Sequence, residues 1–184
     1  MLAQGNFAST SNPLDIAIQG HGFFQIRRAS GELAYTRAGS FHLDRTGNVV
    51  TLDGEALEPQ LTIPPGAQSI TVAQDGTVSY VQPGQTAAQL AGQMQLAVFQ
   101  NPAGLNSIGR SLYLPTDASG DAIVGNPGGQ EGMGTLQQGY LESSNVSVVE
   151  EFINMITSQR AYEANTKVVK AADDMYSQVN NITR

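Results

Sequence analysis

The chain has 184 residues, a formal net charge of −7 and no cysteine. That length allows one compact domain with an appendage, or two small ones, and the missing thiols exclude a disulfide scaffold, a thiol nucleophile and a Cys-based zinc site. The acidic balance argues against nucleic acid or anionic lipid as a partner, and no apolar run reaches the ~18 residues of a membrane span, so no membrane insertion is expected.

With 20 glycines and only 14% charged residues, the composition suits a β-rich body with many turns better than a helical bundle. Residues 1–13 predict an extended N-terminal segment. Met1 to Gly5 lacks the basic and apolar regions of a cleaved secretory signal. Residues 14–143 predict a β-rich middle domain. Leu14-Asp15-Ile16-Ala17-Ile18-Gln19 alternates as a half-buried strand does. Phe23 to Ile26, Leu33 to Arg37, Phe41 to Leu43 and Asn48 to Leu52 follow as strands. Ser30-Gly31, Thr46-Gly47-Asn48 and Asp53-Gly54 separate them with residues that tolerate positive φ.

Ile70 to Val72 and Thr77 to Val81 flank Gln74-Asp75-Gly76, the clearest hairpin in the chain. Met94 to Phe99 and Leu112 to Leu114 predict further strands. Residues 115–134, rich in Gly, predict an extended surface loop, and Leu136 to Leu141 a last strand. The echo between "LDRTGNVV" and "VAQDGTVS" is explained by two similar hairpins as well as by a repeat. Strands at intervals of roughly ten residues suggest a sandwich or barrel-like body.

Residues 144–184 follow another rule. From Ser147 to Ile182 there is neither Gly nor Pro. Ser147-Val148-Val149-Glu150 has the form of a capping box, Glu150 and Glu151 suit a helix N-terminus, and Glu163 with Lys167 forms an i,i+4 pair. The prediction is one helix of about 36 residues, roughly 54 Å long. The expected fold is therefore mainly β with a long, coiled-coil-type C-terminal α-helix.

Val148, Met155, Tyr162, Val169 and Tyr176 form one row of that helix, and Ala161, Val168, Met175 and Ile182 the adjacent row. Asn165, Ala172 and Val179 complete an a/d seam, and Phe152, Ile153 and Ile156 widen the stripe near its start. Such a helix either folds back on its own β body or packs against other helices. The second is favoured, because the helix exceeds the expected diameter of the body.

Catalytic chemistry is hard to find. His21 lies between glycines and His42 on a strand, and neither has metal-ligand spacing. Asp44-Arg45-Thr46-Gly47-Asn48 lacks the acids of a calcium loop and reads as a β-turn. Gly20-His21-Gly22 is too short for a phosphate loop, and no Ser lies in G-x-S-x-G. Asp53, Glu55, Asp173 and Asp174 read as solvated acids. No metal, cofactor or enzymatic activity is expected.

"NPLDIAIQGHGFFQI" and "YTRAGSFHLDRTGNVVTLDG" resemble the core stretch of the bacterial flagellar rod and hook axial proteins. "LAVFQNPAGLNSIGRSLYLPTDASG" and "QGYLESSNVSVVEEFINMITSQRAYEANTKVVKAADDM" are similar to the family's next segment and its C-terminal helix signature. The likeness spans essentially the whole chain and falls on the distal-rod branch. It implies axial subunits that stack into a hollow shaft carrying torque from motor to hook. Terminal helices would line the shaft, with a β-rich domain outside. Implied partners are further copies, neighbouring rod and hook subunits and the surrounding basal-body rings. The implied location is the periplasm-spanning rod of the flagellar basal body, reached by type III export without a cleaved signal.

Family members begin with an N-terminal helical segment that this chain does not contain. The helix stripe is therefore expected to lack its partner, and this chain to remain a monomer or small oligomer. Two other readings compete. One is a β-sandwich recognition or adhesin module with a helical oligomerising stalk, disfavoured by the absence of Trp and the 7% aromatic content. The other is a hydrolase with an unfamiliar acid pair.

Overall fold

The computed structural model describes residues 4–85, 87–129, 132–145 and 148–182, with helix side chains at 149–172 and 175. The chain divides into two compact units, Met1–Ser144 and Asn145–Arg184. In the first, β1 (Phe7–Ser9), β2 (Ile16–Gln19), β3 (Phe23–Arg27), β4 (Leu33–Thr36), β5 (Phe41–Leu43) and β6 (Val49–Thr51) come in order. Next are β7 (Ala56–Glu58), β8 (Ser69–Val72), β9 (Thr77–Val81), β10 (Gln89–Gln93) and β11 (Leu96–Val98). Then come β12 (Asn106–Gly109), β13 (Leu112–Leu114), β14 (Ile123–Gly125), β15 (Thr135–Gln138) and β16 (Tyr140–Glu142). The second unit is α1 (Val148–Ile182).

Nine strands form the main sheet, in the order β12-β13-β4-β3-β7-β6-β5, with β11 on β3 and β14 on β11. It curls into a half-barrel. β10-β9-β8 form a three-stranded sheet, and β15–β2 and β1–β16 are two-stranded ribbons. The alternation of β3 explains its central place. Phe24 and Ile26 enter the main core, and Phe23 enters a second cluster with Tyr35, Ala97 and Phe99. Both faces of β3 are thus covered, as a central strand requires. Phe24 meets Phe41 edge-to-face at 5.1 Å, and Tyr35 meets Phe99 at 4.8 Å. Each such fully buried side chain stabilises the fold by roughly 1.5–3 kcal/mol. Burial also pushes the Tyr35 hydroxyl above its ordinary pKa.

Backbone approach decides one sequence choice. A Cβ on Gly39 would overlap the Ile16 carbonyl, and the Ile16 amide donates to the Gly39 carbonyl at 2.9 Å. Only glycine lets these two segments meet.

The two predicted hairpins share one turn chemistry. Asp44 accepts at Oδ1 from the Thr46 amide and hydroxyl and from the Asn48 amide. The Thr46 hydroxyl bond is the main reason its pKa falls to about 2. Asp75 accepts from the Thr77 amide at 3.0 Å, and that backbone bond lowers its pKa as well.

Several expectations need correction. The stretch 115–134 contains β14, paired with β11. The expected last strand is two, β15 and β16, separated at Gly139 with φ 77°. β1, β7, β10 and β12 gave no alternating signal. β12 is exposed throughout and β10 is exposed or half-buried with a register shift between Leu90 and Gly92, so neither needs a two-fold apolar pattern.

Candidate assembly surface

The expected helix is α1, over Val148–Ile182, about 52 Å at 1.5 Å per residue. The proposed capping residue Ser147 lies outside the described residues. So do the side chains of Val148, Tyr176, Val179 and Ile182. Glu150 and Glu151 occupy the first turn, where the helix dipole favours acids. The expected Glu163–Lys167 ion pair does not form. Glu163 instead accepts from Gln159 Nε2 at 3.4 Å. The Thr157 and Thr166 hydroxyls donate to the Ile153 and Tyr162 carbonyls one turn back, so their polar needs are met within the helix.

The apolar side chains of α1 have no such internal solution. Phe152, Met155, Ile156, Tyr162, Val168, Val169 and Met175 are each more than half exposed, as are Val149 and Ile153. Ala172 is half-buried.

Their placement around the axis is not one stripe. At about 100° per residue, with Tyr162 as origin, Val149, Phe152, Ile153, Met155 and Ile156 centre near 110°. Ala161, Val168, Ala172 and Met175 centre near 250° on the same scale. Tyr162 and Val169, at 0° and about 340°, lie between the two groups. The polar residues interlock with this pattern. Glu151, Asn154, Thr157 and Ser158 occupy the second side early in the helix, and Arg160, Glu163, Lys167 and Lys170 occupy the first side later. One stripe widened at its start is, on this helix, two apolar faces centred about 140° apart and at different heights.

The β unit offers little reactive chemistry to set against this surface. Among the described residues no group of three or more His, Cys, Asp or Glu could hold a metal ion. His21 and His42 are exposed. A groove of about 370 Å³ lies between the turn after β6 and the β12–β13 hairpin. Arg110 and Asp53 form an ion pair at its wall at 3.2 Å. Its polar groups include no nucleophile held by a base.

Residues 17–80 match the family model of the flagellar hook protein FlgE/F/G D1 domain. Residues 137–182 match that of the flagellar basal body rod FlgEFG protein C-terminal region. The chain is 46% identical over 179 residues to the flagellar basal-body rod protein FlgG of Buchnera aphidicola subsp. Acyrthosiphon pisum, covering 97% of this chain and 68% of that one. It is 48% identical over 172 residues to FlgG of Caulobacter vibrioides, covering 94% and 65%. Identity to the rod protein FlgF of Escherichia coli is 31% over 184 residues, covering 98% and 72%. The chain thus spans about two thirds of the length of these relatives and stands nearer the two FlgG chains than this FlgF. Nothing in these likenesses supports the adhesin reading. The chain belongs to the family of flagellar basal-body rod proteins.

Proposed function

We propose that this protein is a structural, non-enzymatic subunit of the distal rod, and that α1 is the element through which subunits join. The observation that carries the reading is the pair of exposed, divergent apolar faces on α1. Faces this broad are unfavourable in water and mark an interaction surface. A two-fold dimer would need one self-complementary face. Two faces about 140° apart and at different heights call for a neighbour on each, as a helix has inside a tube wall.

On this reading residues 144–184 are the assembly segment, 14–143 the outer domain and 1–13 the entry to it. Neighbours are further copies and adjoining rod and hook subunits, with the basal-body rings around them. The assembled shaft is hollow, crosses the periplasm and carries torque from motor to hook. Its subunits leave the cytoplasm without a cleaved signal peptide.

The test uses the full-length rod protein in two variants. Phe152→Asp with Ile156→Asp alters the first face, and Val168→Asp with Met175→Asp the second. Each pair is expected to abolish regular tubes in negative-stain micrographs while the β-type circular dichroism is unchanged, because an unpaired buried carboxylate is costly. Tubes from both variants would show that α1 is not the assembly element.

A further inference from the structure

The β1–β16 ribbon poses a physical problem. A two-stranded ribbon is marginal by itself. Its pairs are Phe7 with Glu142, Ala8 with Leu141 and Ser9 with Tyr140. All are exposed or half-buried, and none belongs to either core cluster. Burial of apolar surface is therefore not what fixes the ribbon.

Its attachment is polar: the Gly139 amide donates to the Asp15 carbonyl at 2.7 Å and Gln4 Nε2 to the Ile18 carbonyl at 3.0 Å, and the densest set of bonds converges on one side chain. Arg37, next after β4, donates from Nε to Glu142 Oε2 at 3.0 Å, and its Nη2 lies 2.9 Å from the same oxygen in an ion pair. Nη1 donates to the carbonyls of Gly20 at 3.2 Å and Gly22 at 3.1 Å. Nη2 donates to those of Ile18 at 3.4 Å and Gly20 at 3.2 Å. The guanidinium carbon lies 6.0 Å from the centre of the Phe23 ring. Glu142 Oε1 in turn accepts from the Gly5 amide at 2.9 Å, so the acid ties both ends of the ribbon region to the same cation. The two side chains are only 18% and 12% exposed, which removes most solvent screening.

The Gly20-His21-Gly22 motif now has a role. Gly20 has φ 109° and Gly22 φ 137°. This backbone, open to glycine, presents two carbonyls to one guanidinium. The motif that is too short for a phosphate loop is a cradle for a cation.

We infer that Arg37 is the latch holding the β1–β16 ribbon to the body, and that without it the ribbon opens as a unit while the sheets behind it stay folded. The planar fork of arginine serves one carboxylate and three carbonyls together, which a lysine ammonium cannot do. The latch is independent of how α1 is used. If α1 joins subunits as proposed above, Arg37 also positions the ribbon whose last strand precedes that helix in the chain.

The test is amide hydrogen exchange on Arg37→Lys, which keeps the charge and removes the fork. Two ribbon amides report opening: Thr10, bonded to the Gly139 carbonyl at 2.7 Å, and Ser143, bonded to the Asn6 carbonyl at 2.8 Å. Two body amides serve as reference: Ile16 on Gly39 and Val49 on Leu61. Exchange at Thr10 and Ser143 is expected to rise about tenfold or more with Ile16 and Val49 unchanged. Equal acceleration at all four amides would make Arg37 an ordinary stability residue, and no acceleration would make it dispensable. Either result overturns the latch. If Arg37→Lys does not fold, Glu142→Gln decides by the same comparison.

Discussion

The β unit and α1 use similar apolar residues in opposite ways. In the body, Phe24, Phe41, Ile16, Ile18, Leu57 and Ile63 are at most 2% exposed. In α1, Phe152, Ile153, Ile156, Val168 and Met175 are more than half exposed. The body carries the glycines that let short strands reverse and close a core. The helix carries none and cannot reverse. If α1 joins subunits as proposed, the difference separates residues that fold the molecule from residues that join it to others. A core substitution should act on stability alone, and an α1 substitution on association alone.

The largest expected break of that contrast is Phe24→Ala. Losing this ring from the core should cost about 3–5 kcal/mol in urea unfolding, whereas Phe152→Ala should cost less than about 0.5 kcal/mol. Equal costs would mean that α1 contributes to the body's core. Gly39→Ala comes next. Its Cβ enters the space of the Ile16 carbonyl, and a loss of about 1–3 kcal/mol is expected in the same measurement.

Gln138→Ala should follow at about 1–2 kcal/mol. Gln138 Nε2 donates to the carbonyls of Pro13 and Ile70 at 2.8 and 2.9 Å, and its Oε1 accepts from the Val72 amide at 3.2 Å. It thereby ties β15 to β8, and a neutral substitution would remove that role. Asp44→Asn should have a pH signature. The folded pKa of Asp44 is about 2, below the roughly 3.9 of an unfolded Asp. Its contribution is present above pH ~4 and lost as pH falls towards 2. The variant's melting temperature should decline less steeply over that window. A curve parallel to the parent would show that the Asp44 bonds do not stabilise the turn. Smallest of all is deletion of residues 145–184, after which a cooperative β-type thermal melt should persist with little shift. A molten product would merge the two units into one.

The core strands were legible because burial on one or both faces imposes a pattern. Phe23 to Ile26 and Thr77 to Val81 are near their observed bounds for that reason. β12 and β14 were not, because exposed edge strands are held by backbone hydrogen bonds to a neighbour and leave their side chains free to vary. The apolar character of α1 was visible in sequence, but its division into two faces was obscured by heptad counting. Heptad rows drift by about 20° each on a straight helix, so Met155, Tyr162 and Val169 fall at about 20°, 0° and 340° and the row leaves the first face as it descends. Arg37 was invisible as a functional residue. Its partner Glu142 lies 105 positions away, and its other acceptors are carbonyls that no side-chain pattern records.

The pairing of Phe7 with Glu142 makes the body an excursion that returns to its starting point. Everything between those residues hangs from one short base, and the separation of the two strands at that base is fixed by their hydrogen bonds at about 5 Å. Gly31, Gly54, Gly66 and Gly84 sit where an added side chain would meet nothing within 4 Å. Chain inserted or removed at such places changes the girth of the body and leaves its base alone. Size at the periphery and spacing at the base are then separate variables, so one can be altered over generations while the other is kept.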